Sequence, residues 1–232
     1  MLDAQDRSPE AEAYYRHTRR EIQPLLPSKA RRILEVGSGG GYTLRWLKSV
    51  YDGDVTTVGI EINSDVEDEL ARNADVAVIG NIDEGVAELG SFDLILFLDV
   101  LEHLPDPTRT LRTVTRNLAR DGRVIVSVPN VAHLSVTLPL LLSRQFNYQD
   151  AGIMDRTHLR FFVESTAVKL LNDADLVVLD GLVSGLDGPR SRVLDTLSLG
   201  LLRHHLTKQY IMVGARSDGL LSQRKVDWKK IG

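Results

Sequence analysis

An apolar run, Ile33-Leu34-Glu35-Val36, leads straight into Gly37-Ser38-Gly39-Gly40-Gly41, and a second apolar pattern follows with Leu44 and Leu47 three residues apart. Glycine weakens strands and helices alike. Four glycines in five residues, between what reads as a strand and what reads as a helix, mean that the backbone turns tightly there or lets a ligand come close. In an open parallel sheet, ligands sit beyond the carboxyl ends of the strands, where the strand order reverses. A glycine-rich turn that follows the first strand and opens a helix marks that place.

The rest of the chain has the alternation such a sheet needs. Ile33–Val36 reads as the first strand and Gly41–Val50 as a helix. Val55–Glu61 is the second strand, Asp65–Arg72 a short helix and Asp75–Gly80 the third strand. Phe92–Val100 is the fourth and most apolar strand. Pro107–Arg120 is helical, with Leu111, Val114 and Leu118 on one face, and Asp121-Gly122 is a turn announcing the fifth strand, Arg123–Pro129. Near-continuous apolar strands separated by helices indicate an α/β fold with a parallel sheet covered on both faces. A long apolar and aromatic insert, Val131–Asp155, comes next. A helix over Ser165–Asn172, a sixth strand at Leu176–Asp180, an amphipathic stretch at Ser191–His205 and a seventh strand at Gln209–Arg216 follow it. The whole reads as one domain, with residues 1–30 as a helical cap and 217–232 as a solvated basic tail carrying Arg224, Lys225, Lys229 and Lys230.

Composition narrows the partners. The 232 residues are 43% hydrophobic, enough for one sizeable core. A net charge of -4 argues against a chain-wide nucleic-acid footprint. There is no cysteine, hence no disulfide framework and no thiolate metal site, and no metal ligands are singled out. The first twenty residues are charged and lack the apolar core of a signal peptide. The longest apolar run, Val131–Leu142, is interrupted by His133, Ser135, Thr137 and Pro139. It is shorter than the about 20 residues a membrane span needs. The expectation is a soluble, cytoplasmic protein acting on a small molecule or glycan.

Two nucleotide-type ligands compete for the glycine loop, and it matches the motif of neither, although a dehydrogenase stays open as a minor alternative. A dinucleotide fingerprint, G-x-G-x-x-G starting at Gly37, requires glycine where Tyr42 stands. A phosphate-binding P-loop requires Lys followed by Ser or Thr after its last glycine, and Tyr42-Thr43 does not supply it. What fits is G-x-G-x-G at Gly37, Gly39 and Gly41. "LEVGSGGG" resembles the first motif of class I S-adenosylmethionine-dependent methyltransferases, E/D-x-G-x-G-x-G, with Ser38 in a slot where cysteine is common. The resemblance continues in order through "GIEIN", "GNID", "FDLILFLDVLEHLPDP" and "RDGRVIVSVPN", from residue 33 to about 130.

The resemblance implies a Rossmann-like seven-stranded sheet of order 3-2-1-4-5-7-6 with the last strand antiparallel, and S-adenosylmethionine as cofactor. It implies that Glu61 accepts the two ribose hydroxyls, with Ile62 beside it, and that Asn81 and Ile82 flank adenine. The loop residues Gly37, Ser38, Gly39 and Gly41 pass close to the methionine part. Glu35, inside the first strand, needs partners when buried, either loop amides or the cofactor's methionine end. A carboxylate at Asp99, ending an apolar strand, needs the cofactor's amino group or a backbone amide.

The second half bears on the acceptor. Gly152–Phe162, "GIMDRTHLRFF", resembles a block found in a methyltransferase subgroup associated with sugar and surface-glycan modification. O-methylation of a sugar hydroxyl, free, nucleotide-linked or on a glycan, is therefore expected. The alternatives are N- or O-methylation of another small metabolite, and an inactive nucleotide-binding regulatory protein. An alcohol acceptor benefits from a base. The candidates are His103, which either faces the cleft or caps a helix start; His133, just past the fifth strand; and Asp155 and His158, in a segment that would fold over the cleft. Asp155-Arg156 and His158-Arg160 would equally form an internal staple. Residues 131–160, far longer than an ordinary connection, are expected to be a lid, with Phe146, Tyr148, Phe161 and Phe162 as its packing.

Overall fold

The computed structural model describes residues 17–82, 86–186, 188–217, 226 and 228–231. The strands are β1 (Arg32–Val36), β2 (Thr56–Glu61), β3 (Val76–Ile79), β4 (Phe92–Leu98), β5 (Leu118–Pro129), β6 (Leu176–Ser184), β7 (Gln209–Arg216) and β8 (Trp228–Lys230). They form one sheet of order β3-β2-β1-β4-β5-β7-β6-β8. The chain divides into two compact units, Met1–Leu98 with Thr113–Val124, and Asp99–Arg112 with Ile125–Gly232. Among the described residues no helix is long and apolar enough to cross a membrane.

In the first unit, β1 lies between β2 and β4, parallel to both, and β3 is parallel to β2 on the far side. Ile33, Leu34, Leu94, Ile95 and Leu96 are fully buried, as a parallel sheet covered on both faces requires. Two helices follow their strands, α1 (Tyr42–Val50) and α2 (Glu67–Asn73). Leu44 and Leu47 bury the inner face of α1. Of the expected helical cap, residues 1–16 lie outside the described residues, and Arg20–Leu25 forms a 3-10 helix that buries Ile22 and Leu25.

The expected helix after the fourth strand is shorter than its apolar spacing implies. The helix α3 (Pro107–Val114) ends early, a 3-10 turn covers Thr115–Asn117, and Leu118 already starts β5. Asp121-Gly122 therefore lies inside a strand. The glycine serves close packing: a Cβ at Gly122 would sit 2.9 Å from two carbons of Leu118.

In the second unit, the expected long insert contains a helix, α4 (Leu134–Ser143). Next come α5 (Glu164–Asp173), α6 (Pro189–Leu197) and α7 (Arg203–Leu206). The strand β7 runs antiparallel to β6 from Leu176↔Arg216 to Ser184↔Gln209, with an irregularity between Val178 and Asp180. Where seven strands were expected, the described residues form eight. Trp228–Lys230 pairs in parallel with Gly181–Val183 of β6. Three residues of the supposed solvated tail are thus a strand, because Gly181 leaves room for an indole. A Cβ there would stand 2.6 Å from two Trp228 ring carbons. Lys229 pairs with Asp180, and Lys230 reaches Asp195 at 2.7 Å. Arg224 and Lys225 lie outside the described residues.

Candidate active site

The glycine loop takes the conformation its composition requires. Gly37, Gly39 and Gly41 have φ of 66°, 51° and 74°, the left-handed region that side chains with a Cβ rarely adopt. The loop is tied to the end of β2 by its own amides. Gly37 and Ser38 both donate to the Ile60 carbonyl, at 2.8 and 3.1 Å, and the Gly39 amide donates to Glu61 Oε2 at 2.8 Å. From α2, the Asn73 side chain donates to the Gly40 carbonyl at 2.6 Å.

Glu61 is 7% exposed, and its other oxygen accepts the Asn63 amide at 3.0 Å. Its lone pairs exceed these two donors, so it retains acceptor capacity for further hydroxyls. The neighbouring Ile62 side chain is exposed to solvent, Asn81 is exposed, and Ile82 is buried.

Glu35 is buried beside Thr43, and burial pushes its carboxyl up to about 8, with Arg19 pulling the other way. The loop amides expected to satisfy it are committed to Ile60, Ser38 and Glu61. The Thr43 hydroxyl is the partner instead, and Glu35 Oε2 has no hydrogen bond. A buried carboxyl oxygen without a partner, on the strand that leads into a glycine loop, suits a cationic group such as the amino group of a methionine moiety, whose charge favours the ionised form.

In the second unit, Asp99 has a φ of 58°, rare for a residue other than glycine. Sequence reasoning gave it a ligand or a backbone amide as partner. The structure pairs it with two side chains: Oδ1 accepts from Ser127 Oγ at 2.9 Å and from Gln209 Nε2. The single polar residue in "VIVSVP" and the first residue of β7 were the available signals, and neither had been singled out.

The base candidates separate. His103, in the 3-10 turn Leu101–His103, has Nδ1 at 3.3 Å from the Thr157 carbonyl and 3.0 Å from its hydroxyl. His158 packs edge-on against it, ring centroids 4.7 Å apart, with Nδ1 at 3.1 Å from the Ile153 carbonyl. Glu102, missed by sequence reasoning although it adjoins His103, is 1% exposed. Its Oε1 lies 4.0 Å from His158 Nε2, and its carbonyl accepts the amides of Leu159 and Arg160 at 2.8 and 3.0 Å. The THLRFF block is therefore laced to the turn after β4, and the structure brings His103, His158 and Glu102 together. Burial and the His103 ring hold the His158 pKa below its ordinary value, against the Ile153 carbonyl and the charges of Asp155 and Asp99.

His133 and Asp155 take local roles. His133 Nδ1 accepts the Ser135 amide at 3.1 Å, which caps α4, and burial with the Lys208 charge lowers its pKa. Asp155 Oδ1 accepts the amide and hydroxyl of Thr157 at 2.8 and 2.7 Å. The expected Asp155-Arg156 staple does not form; Arg156 pairs with Asp150 at 2.6 Å. Phe146, Tyr148 and Phe161 form an aromatic cluster with centroids 5.9–6.5 Å apart, and Phe162 is buried.

Residues 10–180 match the methyltransferase domain family. The chain belongs to that family. Curated relatives of this methyltransferase include a ubiquinone biosynthesis O-methyltransferase of Thiobacillus denitrificans, 26% identical over 47% of this chain and 53% of that one. Another of the same description, from Alkalilimnicola ehrlichii, is 27% identical over 76% and 74%. This chain spans about half the length of the first relatives it matches. None of these descriptions mentions a sugar acceptor.

Solved structures share the fold. A TehB-like S-adenosylmethionine-dependent methyltransferase from Corynebacterium glutamicum superposes with a TM-score of 0.54 at 15% identity, covering 85% of this chain and 86% of that one. An O-methyltransferase of a Brevibacillus brevis trans-AT PKS multienzyme, in complex with S-adenosyl-L-homocysteine, gives 0.58 at 13% identity, covering 87% and 72%. The cofactor of this methyltransferase is S-adenosylmethionine, and the unpartnered Glu35 Oε2 on the strand that leads into the glycine loop fits it.

Proposed function

We propose that this chain transfers the methyl group of S-adenosylmethionine to the oxygen of a small-molecule hydroxyl. The bound cofactor supplies a methyl group already activated on a sulfonium. The chain's own residues then have to hold the donor, exclude water and receive a proton. Glu61 accepts the ribose hydroxyls with its remaining lone pairs. Gly37, Ser38, Gly39 and Gly41 give the loop its close approach, Glu35 takes the cationic amino group, and Ile62, Asn81 and Ile82 flank the adenine.

The observation that carries the oxygen acceptor is the Glu102–His103–His158 cluster. Each imidazole has Nδ1 beside a backbone carbonyl, at 3.3 Å for His103 and 3.1 Å for His158. An N–H is required to bond a carbonyl, so the neutral rings keep their lone pairs on Nε2. Lone pairs beside a buried carboxylate receive a hydroxyl hydrogen. Residues 131–160 act as the lid over this face, with the Phe146, Tyr148 and Phe161 cluster as its packing. The relatives' descriptions as ubiquinone biosynthesis O-methyltransferases support an oxygen acceptor on a quinone-type small molecule. The likeness of Gly152–Phe162 to the glycan-modifying subgroup supports a sugar hydroxyl as the second reading.

The test is incorporation of labelled methyl across a panel of catechols, nucleotide sugars and primary amines. Label on oxygen is expected. Label on nitrogen alone, or donor binding with no incorporation anywhere, would overturn the proposal, the latter in favour of a binding protein.

A further inference from the structure

We infer that Glu102, His103 and His158 form a binding site for one divalent transition-metal cation, through which the acceptor hydroxyl is held. This rests on the methyl-transfer reading for its purpose but not for its geometry.

One ligand atom from each of the three side chains lies within 4.8 Å of the other two. Their chemistry fits a cation better than it fits mutual hydrogen bonding. With each Nδ1 committed to a carbonyl, both rings present Nε2 as a lone pair, and the third group is a carboxylate. Glu102 Oε1 and His158 Nε2, at 4.0 Å, stand beyond hydrogen-bond reach of each other. Hydrogen-bonding the far ring nitrogen to a carbonyl is also how proteins fix the tautomer and orientation of a metal-ligating histidine.

Two imidazoles and one carboxylate suit zinc and its neighbours. Tetrahedral zinc, with bonds of about 2.0–2.1 Å, sets ligand atoms roughly 3.3 Å apart, so side-chain rotation has to draw the widest pair inward by about 1.5 Å. Three protein ligands leave a coordination position open. A hydroxyl bound there loses its proton more readily, and loses it to solvent, because the cation takes the Nε2 lone pairs that receive the hydroxyl hydrogen when no cation is bound. Its oxygen forms the new O–CH3 bond as the S–CH3 bond breaks, the bonding pair going to sulfur and the hydroxyl proton to solvent.

The test titrates metal-free protein with Co2+ and reads visible absorption, then displaces the Co2+ with Zn2+. One Co2+ per chain is expected, with affinity reduced at least tenfold in Glu102→Gln and in His158→Asn and unchanged in His205→Asn. Thermal melting confirms that each variant is folded. Should either buried variant unfold, His103→Asn, on the exposed side of the cluster, takes its place. Absence of Co2+ binding, or binding indifferent to these substitutions, overturns the site. Calorimetry with S-adenosylhomocysteine on metal-free protein reports separately on the methyltransferase reading. Donor binding without Co2+ binding removes the metal alone. Co2+ binding without donor binding removes the reading and leaves the site.

Discussion

The amide of Gly39 donates to the carboxylate of Glu61 across 2.8 Å, so the side chain proposed to hold the donor's ribose also fixes the loop that cradles the donor. The two functions share one carboxylate, with Asn63 on its second oxygen. Glu61→Ala should weaken donor binding by about 1.5–3 kcal/mol, the range for hydrogen bonds to a charged group. Glu61→Gln, which keeps one acceptor oxygen for Gly39, should lose less. Calorimetry with S-adenosylhomocysteine ranks the three proteins. Equal affinities would show that Glu61 does not hold the ribose.

Gly39 has a φ of 51°, and a β-branched residue there has to leave that conformation or strain it. Gly39→Val should abolish measurable donor binding while the melting temperature falls only modestly, because the loop tip contributes little to the core. Normal donor affinity in this variant would mean that the loop is not the cradle.

Glu35 makes stability depend on pH in an unusual direction. Its carboxyl is raised from 4.5 to about 8 by burial, so the folded protein holds a proton that the unfolded chain releases. Stability is therefore full below about 4.5 and declines as pH rises toward 8, where the buried group must ionise. Glu35→Gln removes the ionisation. It should stabilise the ligand-free protein little at pH 5 and increasingly up to pH 8, with an upper bound of roughly 5 kcal/mol. Melting curves of both proteins at several pH values give the answer, and a constant difference would count against it.

The first half of the fold was legible because parallel strands buried on both faces read as unbroken apolar runs. Phe92–Leu98 and Ile33–Val36 carry that signal with nothing to compete against it. The glycine loop was legible because three positive-φ positions need glycine. What escaped was decided by packing between distant segments. Leu118 stands at helical spacing from Leu111 and Val114, yet it belongs to a strand. Nothing local marks Trp228 as the neighbour of Gly181, since that pairing spans forty-seven residues. In the site, Glu102 was overlooked beside a more conspicuous histidine, and the Ser127–Asp99–Gln209 network joins three segments that share no motif.

His133 illustrates the converse, a chemically suggestive residue with a mechanical task. Its ring nitrogen accepts the Ser135 amide at the start of α4. His133→Ala should cost about 0.5–2 kcal/mol of stability, as loss of a helix cap does. Turnover per folded molecule should change by less than tenfold. His133→Asn, which restores a capping acceptor, should recover most of the stability in urea denaturation. A hundredfold loss of turnover with unchanged stability would return it to the list of bases.

The eighth strand has a consequence for how the molecule is made. Among the described residues, Gly181–Val183 of β6 have residues 228–230 as their outer neighbour. On a ribosome adding about 5–20 residues each second, β6 emerges and waits seconds for that partner. Throughout that interval its backbone amides and carbonyls face outward as an open template. The nascent chain is then most exposed to pairing with a copy on a neighbouring ribosome, and Trp228, seated on Gly181 and against Tyr210, is the residue whose arrival ends the exposure.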